Sequence, residues 1–222
     1  MGKMIELTAS DGHKLAAYRA DPSGKPRGGI VVIQEIFGVN SHIRSVADGF
    51  AADGYLAIAP AMFDRVQKNF DVGYTPPDIE KGREIRAKVT ADMAMKDAQA
   101  AVNEAKKAGK VGIVGYCWGG FVAWMASAKL SGLSAAVPYY GGGILDNADI
   151  EPKVPVMAHF GEKDSMIPVA GVKKLAEKHK KHQVFIYAAD HGFNCDQRGS
   201  LNAPSAKQAR ERTLEFFRKH VG

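Results

Sequence analysis

A cysteine between glycines is the residue of this sequence with the clearest chemical potential. Cys117 lies in the run Gly-Tyr-Cys-Trp-Gly-Gly at 115–120, after a short apolar stretch and before a helical pattern. This is the context of a nucleophile elbow, G-x-S-x-G, with cysteine in the serine position. Glycines relieve crowding in so tight a turn, and the positive end of the following helix favours a thiolate. Cys117 is therefore a candidate nucleophile, whereas the alternative is a small buried thiol.

An acid and a base follow Cys117 along the chain. Asp164 comes directly after the apolar stretch 154–160, and His191 comes directly after the stretch 183–188. Open α/β sheets place their active sites at the carboxyl ends of the strands. Enzymes with a nucleophile elbow carry the nucleophile, the acid and the base in this order along the chain. The sequence therefore predicts a catalytic triad of Cys117, Asp164 and His191.

Other acids and histidines have weaker claims. Asp190 neighbours His191, but adjacent residues of a strand point to opposite sides of the sheet. Glu162 is the alternative to Asp164 as the acid of the triad. His159 lies within an apolar stretch and is predicted to be a core residue. The other histidines are predicted to be surface or cap residues, namely His13, His42, His179, His182 and His220. No histidine is predicted to bind a metal, and no motif indicates a cofactor.

Alternating apolar and helical stretches must position these residues. Strands and helices alternate through the second half of the chain, which predicts an α/β fold with a mostly parallel, twisted sheet covered by helices on both faces. We expect one domain over residues 1–222. The predicted strands are 3–8, 13–20, 29–33, 55–59, 111–114, 133–137, 154–160 and 183–188, and the predicted helices are 41–52, 79–108 with a break at 89–90, 121–130, 168–180 and 205–219, with an irregular segment at 60–78.

Composition narrows the class of protein. The 222 residues are 45% hydrophobic and 24% charged, with a net charge of +6, which is ordinary for a globular chain. Basic residues are dispersed, and the densest run, 173–181, belongs to a predicted amphipathic helix. A mild attraction for acidic substrates is therefore favoured over nucleic-acid binding. Two cysteines form no disulfide framework, and no signal peptide or membrane segment is predicted. We expect a cytoplasmic monomer.

The sequence resembles the dienelactone hydrolase (carboxymethylenebutenolidase) family over nearly its whole length. The resemblance rests on Gln-Glu-Ile-Phe-Gly-Val-Asn at 34–40, Gly-Ile-Val-Gly-Tyr-Cys-Trp-Gly-Gly at 112–120, Gly-Glu-Lys-Asp at 161–164, His-Gly-Phe at 191–193 and the stretch from Gly54 to Pro60. The first two motifs are the more specific. The resemblance implies the α/β-hydrolase fold, the same triad, and attack on a lactone or ester through an acyl-enzyme.

The resemblance also gives Glu35 a role, because the matching glutamate of the family interacts with the cysteine and helps to deprotonate it when substrate arrives. Glu35 ends a buried apolar strand, where an unpaired carboxylate is costly. Its alternative role is a structural acid paired with an arginine such as Arg44. The elbow rule places the oxyanion donors on the backbone N–H groups of Trp118 and Ile36.

One departure from the family concerns the substrate. Family members that act on dienelactone hold its carboxylate with arginines, one of them shortly after the catalytic histidine. Four residues after His191 this chain has Cys195, which we expect to be a small wall residue or buried, while Arg198 lies nearby. Arg83 and Arg86 are candidates for a second arginine. A carboxylate is best held by a forked cation, so this departure bears on which substrate is used.

Four hypotheses follow. The leading one is a hydrolase that opens a dienelactone-type lactone or enol ester, and the second is a carboxylesterase or thioesterase of broad specificity, which the missing arginine favours. The third is a non-catalytic redox or ligand-binding protein with Cys117 as a sensor, against which Glu35, Asp164 and His191 argue. The fourth, nucleic-acid binding, rests on the basic charge alone.

Overall fold

The computed structural model describes residues 2–222 and is built on one eight-stranded sheet. The strands are β1 Lys3–Thr8, β2 Lys14–Ala20, β3 Gly29–Ile33, β4 Leu56–Pro60, β5 Val111–Tyr116, β6 Leu133–Tyr139, β7 Met157–Gly161 and β8 Gln183–Tyr187. Their order is β1-β2-β4-β3-β5-β6-β7-β8, in which β2 runs antiparallel to β1 and β4 and the remaining pairs are parallel. The predicted α/β class with a mostly parallel sheet is confirmed.

The central strands are buried along their whole length, as a sheet covered on both faces requires. Every residue of β3, β4, β5 and β7 is buried. The helices that flank the sheet are α1 Ser41–Ala52, α2 Pro76–Ala87, α3 Ala91–Ala105, α4 Trp118–Lys129, α5 Val169–Lys178 and α6 Ala203–His220, with short 3₁₀ turns at Lys106–Ala108 and Leu145–Asn147. Within residues 2–222, no helix has the combination of length and apolar character that crossing a membrane requires.

The structure confirms one sequence-based helix boundary and changes two assignments at helix starts. The predicted break at 89–90 is confirmed, because Thr90 accepts a hydrogen bond from Met93 N and starts α3. The cap of α1 is Asn40 rather than Ser41. Helix α4 starts at Trp118 and not at Phe121, so its N-terminus directly follows Cys117. Its amides therefore face the candidate nucleophile.

Two histidines predicted to be surface or cap residues are buried, and one of them, His179, does cap the C-terminal end of α5. His42 in α1 is 3% exposed, and its Nδ1 lies 2.7 Å from Asp196 Oδ1. His179 is 2% exposed, and its Nε2 lies 2.7 Å from the carbonyl oxygen of Ala148. An imidazole tolerates burial once a ring nitrogen has a partner, and those partners come from segments far away in sequence.

His159 is a core residue, as predicted. Its Nδ1 lies 2.8 Å from the Tyr187 hydroxyl, and its Nε2 lies 3.1 Å from Thr213 Oγ1. Burial lowers the pKa of His159 to about 3, so the ring is neutral and structural.

Candidate active site

The elbow that carries Cys117 is strained. Cys117 has φ 55° and ψ −120°, an unfavourable conformation for a residue with a Cβ. Its N–H donates to the carbonyl oxygen of Tyr139 on the neighbouring strand at 3.1 Å, which helps to hold the turn. The side chain is partly exposed and faces a pocket, so the fold presents this thiol to solvent-borne molecules rather than burying it.

Both glycines of the motif are required by close backbone contacts. A Cβ on Gly115 would lie 1.9 Å from the carbonyl oxygen of Gly119. A Cβ on Gly119 would lie 2.4 Å from the carbonyl oxygen of Gln34 and 2.5 Å from that of Ile33. All three neighbours are main-chain carbonyl oxygens, in α4 for Gly115 and at the end of β3 for Gly119, and they cannot rotate away. The glycines therefore allow the elbow to pack directly against β3.

We expect Gly119→Ala to lower the free energy of unfolding by about 1–3 kcal/mol, because the added methyl group must displace the backbone after β3. The measurement is the denaturation midpoint in urea. Gly24→Ala is the matched control, since a Cβ there meets nothing within 4 Å. Equal midpoints for the two variants would show that the elbow tolerates a side chain at position 119.

The structure brings His191 and Asp164 together. His191 Nδ1 lies 2.7 Å from Asp164 Oδ2, and both side chains are buried. The second carboxylate oxygen of Asp164 accepts the N–H of Met166 at 2.9 Å, which fixes the carboxylate. The alternative acids do not reach the ring: Glu162 is exposed, and Asp190 is exposed and accepts the backbone N–H of His191.

The electrostatics favour the protonated form of His191. Burial lowers its pKa, but the hydrogen bond to Asp164 and the proximity of Cys117, which is negatively charged as a thiolate, outweigh burial and raise the pKa to about 10. The Nε2 atom is buried and has no hydrogen-bond partner at ordinary distance in the described part of the chain. A protonated imidazole beside Cys117 stabilises the thiolate, which is the form of cysteine that attacks a carbonyl carbon.

Glu35 is paired with an arginine, but not with the one suggested by sequence. Its side chain is 1% exposed, and Oε1 lies 3.2 Å from Nη1 of Arg198. Arg44 instead contacts Asp71 at 2.8 Å and donates to the Val39 carbonyl oxygen. A buried carboxylate needs a charged partner, and the long loop after β8 supplies it.

The two backbone amides predicted to hold the oxyanion belong to a pocket residue and to the first residue after the elbow cysteine. Ile36 follows Glu35 and lines the pocket with Cys117, and Trp118 is the first residue of α4. The amides of both residues donate to no other group within residues 2–222. The first amides of a helix have no intrahelical acceptor, so the Trp118 amide is free to bind a developing negative charge.

A pocket of about 180 Å³ opens over the nucleophile. Arg83 and Arg198 both line it, whereas Arg86 is exposed on the same helix as Arg83 and is not among its lining residues. The wall is otherwise mostly apolar. The complete lining is Ile36, Phe37, Ile79, Arg83, Cys117, Met166, His191 and Arg198. Pockets of comparable volume elsewhere on the described surface contain none of the predicted site residues.

Sequence reasoning missed Tyr140, which follows β6. Its φ is 35°, its buried hydroxyl has no partner in the described chain, and its ring packs edge-on against His191 with centroids 5.1 Å apart. The only signal was its position at the carboxyl end of a strand, before three glycines. Cys195 is fully buried and, like Cys117, is a free cysteine, as expected.

Comparison with known proteins identifies the family to which the chain is related. The model of the dienelactone hydrolase family matches residues 15–221. A "Putative carboxymethylenebutenolidase" of Synechocystis is 36% identical, with 94% of this chain and 93% of that protein covered. The carboxymethylenebutenolidase of Pseudomonas putida is 32% identical, with coverages of 96% and 94%.

A solved structure supports the same relationship. The crystal structure of a "Putative Dienelactone Hydrolase" from Klebsiella pneumoniae superposes with a TM-score of 0.86 at 30% identity and covers 99% of this chain and 100% of that one. The match includes the strands whose carboxyl ends carry the candidate site. The chain therefore belongs to the dienelactone hydrolase family, whose enzymes hydrolyse ester and lactone bonds on the α/β-hydrolase fold.

Proposed function

We propose that the protein opens a carboxylate-bearing lactone or enol ester of the dienelactone type, with Cys117 as nucleophile, His191 as base and Asp164 as the residue that orients the imidazole. The observation that carries the proposal is the His191–Asp164 pair at 2.7 Å beside a partly exposed thiol on a strained elbow. Nucleophile, base and orienting acid in this relation form the general arrangement of a hydrolytic triad.

Acylation begins from the ion pair in which the Cys117 proton resides on His191. The thiolate attacks the substrate carbonyl carbon, and the amides of Ile36 and Trp118 hold the oxyanion. The carbon–oxygen bond of the ester then breaks, and the departing enolate takes the proton from His191. The product of this half-reaction is a thioester on Cys117 and a neutral imidazole.

Deacylation uses the same groups in reverse roles. A thioester carries no charge, so the contribution of the thiolate to the pKa of His191 is absent in the acyl-enzyme, and the imidazole is available as a base. His191 takes a proton from water while the oxygen attacks the thioester carbonyl. Collapse of the intermediate releases the acid and restores the thiolate beside the imidazolium.

Glu35 and Arg198 link substrate binding to thiol activation in this proposal. Arg198 lines the pocket and contacts one oxygen of Glu35, and Glu35 and Cys117 both favour its charged form. A substrate carboxylate competes with Glu35 for the guanidinium group. Once Arg198 turns to the substrate, Glu35 loses its counter-charge and becomes a second acceptor for the Cys117 proton.

The substrate class is tested by comparing dienelactone with a neutral p-nitrophenyl ester. We expect Arg83→Gln to raise the KM for dienelactone about 10- to 100-fold, since a charge-assisted hydrogen bond contributes about 1.5–3 kcal/mol, and to change the neutral ester little. Arg86→Gln is the matched control on the same helix, and it should affect neither substrate. Equal effects of Arg83→Gln on both substrates would contradict a carboxylate-binding role for this arginine.

A carboxylesterase or thioesterase of broad specificity is the second candidate. It is favoured by the mostly apolar pocket wall and by the engagement of Arg198 with Glu35. This candidate keeps the same acyl-enzyme chemistry and predicts faster turnover of the neutral ester than of either dienelactone isomer.

A further inference from the structure

Three buried side chains from two distant segments of the chain meet beside the candidate active site. Glu35 follows β3, His42 lies in the first turn of α1, and Cys195 lies in the loop after β8. A carboxylate oxygen, a ring nitrogen and the Sγ atom of these residues lie within 4.8 Å of one another. Their exposures are 1%, 3% and 0%. We name this set the Glu-His-Cys cluster.

Two polar atoms of the cluster have no partner. Oε2 of Glu35 and Nε2 of His42 are buried and make no hydrogen bond in the described chain, while Oε1 of Glu35 contacts Arg198 and Nδ1 of His42 contacts Asp196. An unsatisfied buried polar group costs about 1–3 kcal/mol. Since two such atoms come together with a thiol, a ligand that bonds all three would remove both penalties.

We propose that the Glu-His-Cys cluster is a binding site for Zn²⁺, held by Glu35 Oε2, His42 Nε2 and Cys195 Sγ. Carboxylate oxygen, imidazole nitrogen and thiolate sulfur are the ligand types that Zn²⁺ prefers, and three protein ligands with a fourth position open is a common zinc arrangement. In a tetrahedral Zn²⁺ site, bonds of about 2.0–2.3 Å would join the ion to the three ligand atoms. A separation within 4.8 Å between those atoms is compatible with one ion between them.

The surroundings of the cluster suit this role. Asp196 Oδ1 lies 2.7 Å from Nδ1 of His42, and an acceptor there holds the proton on Nδ1 and leaves Nε2 free to ligate. Asp196 is exposed, and together with His42 it lines a surface pocket of about 210 Å³ that offers an entry route. The carboxylate–histidine pair thus orients the ring toward the other two ligands.

Binding requires the Cys195 thiol to release its proton. Burial and the nearby Glu35 raise the pKa of this thiol to about 11, so the thiol is protonated before metal arrives. Zn²⁺ forms the bond to sulfur, and the displaced proton goes to the solvent buffer. One thiolate and one carboxylate balance the two charges of Zn²⁺, and Glu35 then no longer balances the charge of Arg198.

A bound Zn²⁺ would inhibit hydrolysis, because it removes Glu35 from reach of the Cys117 proton. This consequence rests on the proposed function, whereas metal binding itself does not. Inhibition and binding are therefore measured separately, so that failure of one does not decide the other.

The binding test uses Co²⁺ as a spectroscopic probe of the full chain, with Zn²⁺ as competitor. We expect one Co²⁺ per chain, with a thiolate-to-cobalt charge-transfer band that Zn²⁺ abolishes. Cys195→Ser and His42→Gln should each weaken binding about 100-fold or more, whereas Cys117→Ala should keep the band. Because each variant removes a different ligand, misfolding of one leaves the other to decide.

Three results would overturn the zinc site. The first is a band that survives Cys195→Ser but is lost in Cys117→Ala, which places the metal on the catalytic thiol. The second is binding lost only in His182→Asn, which places it at Glu151, His179 and His182, whose ligand atoms also lie within 4.8 Å of one another. The third is no bound metal at all. By contrast, stoichiometric binding to the Glu-His-Cys cluster with no inhibition of p-nitrophenyl ester hydrolysis would overturn only the role of Glu35.

Discussion

Cys117→Ala is expected to lower kcat/KM for every ester or lactone that the protein hydrolyses by about 10⁴-fold or more. Removal of a catalytic nucleophile abolishes the covalent route, and only binding and the oxyanion amides remain. The amides proposed to hold the oxyanion belong to the backbone of Ile36 and Trp118, so the substitution leaves them in place. Steady-state hydrolysis of dienelactone and of a p-nitrophenyl ester measures this loss, and circular dichroism confirms that the variant is folded.

Trapping of the acyl-enzyme intermediate tests directly whether Cys117 is the nucleophile. With a slowly deacylated ester, the wild-type protein should gain the mass of one acyl group on the peptide that contains Cys117, and Cys117→Ala should gain none. The fully buried Cys195 should stay unmodified in both proteins. Full activity in the alanine variant, or an acyl group on another residue, would show that the nucleophile is misassigned.

The second large effect is expected for Asp164→Asn, which should lower kcat about 10³- to 10⁴-fold with little change in KM. The carboxylate accepts a hydrogen bond from His191 Nδ1 at 2.7 Å and stabilises the imidazolium. An amide carries no charge to stabilise the imidazolium, and its NH₂ group favours the wrong tautomer of the imidazole. The nearly isosteric change leaves packing intact, so that the loss reports on chemistry rather than on folding.

The pH profile separates this catalytic effect from a structural one. The hydrogen bond to Asp164 raises the pKa of His191, so its loss should lower that pKa. In the pH profile of Asp164→Asn, the step that reports deprotonation of the His191 imidazolium should therefore lie at a lower pH than in the wild type. Glu162→Gln is the matched control, because this exposed acid stands two residues away. An equal or larger loss in Glu162→Gln would contradict the assignment of Asp164.

Local sequence patterns predicted the parts of the site that depend on backbone conformation. Glycines two residues from Cys117 predicted the elbow, and the contacts that a Cβ at Gly115 or Gly119 would make explain why. Asp164 and His191 were predicted from strand ends, which a sequence encodes through short apolar stretches. The break between α2 and α3 was predicted correctly for the same reason, since the Thr90 cap is a local interaction.

Partners across elements could not be predicted in this way. The sequence suggested Arg44 as a partner of Glu35, but the folded chain pairs Glu35 with Arg198, 163 residues away. Likewise, the sequence does not distinguish Arg83 from Arg86 as the candidate that binds a substrate carboxylate. Only the packing of α2 places Arg83 at the pocket.

The sequence by itself therefore determined the fold class, the family and the chain order of Cys117, Asp164 and His191, because these follow from patterns that repeat over a few residues. The tertiary structure decided which charges neutralise one another and which buried atoms lack partners. It also brought Glu35, His42 and Cys195 together. The physical reason is that side-chain partners are chosen by distance in space, and the sheet brings together strand ends that lie more than a hundred residues apart.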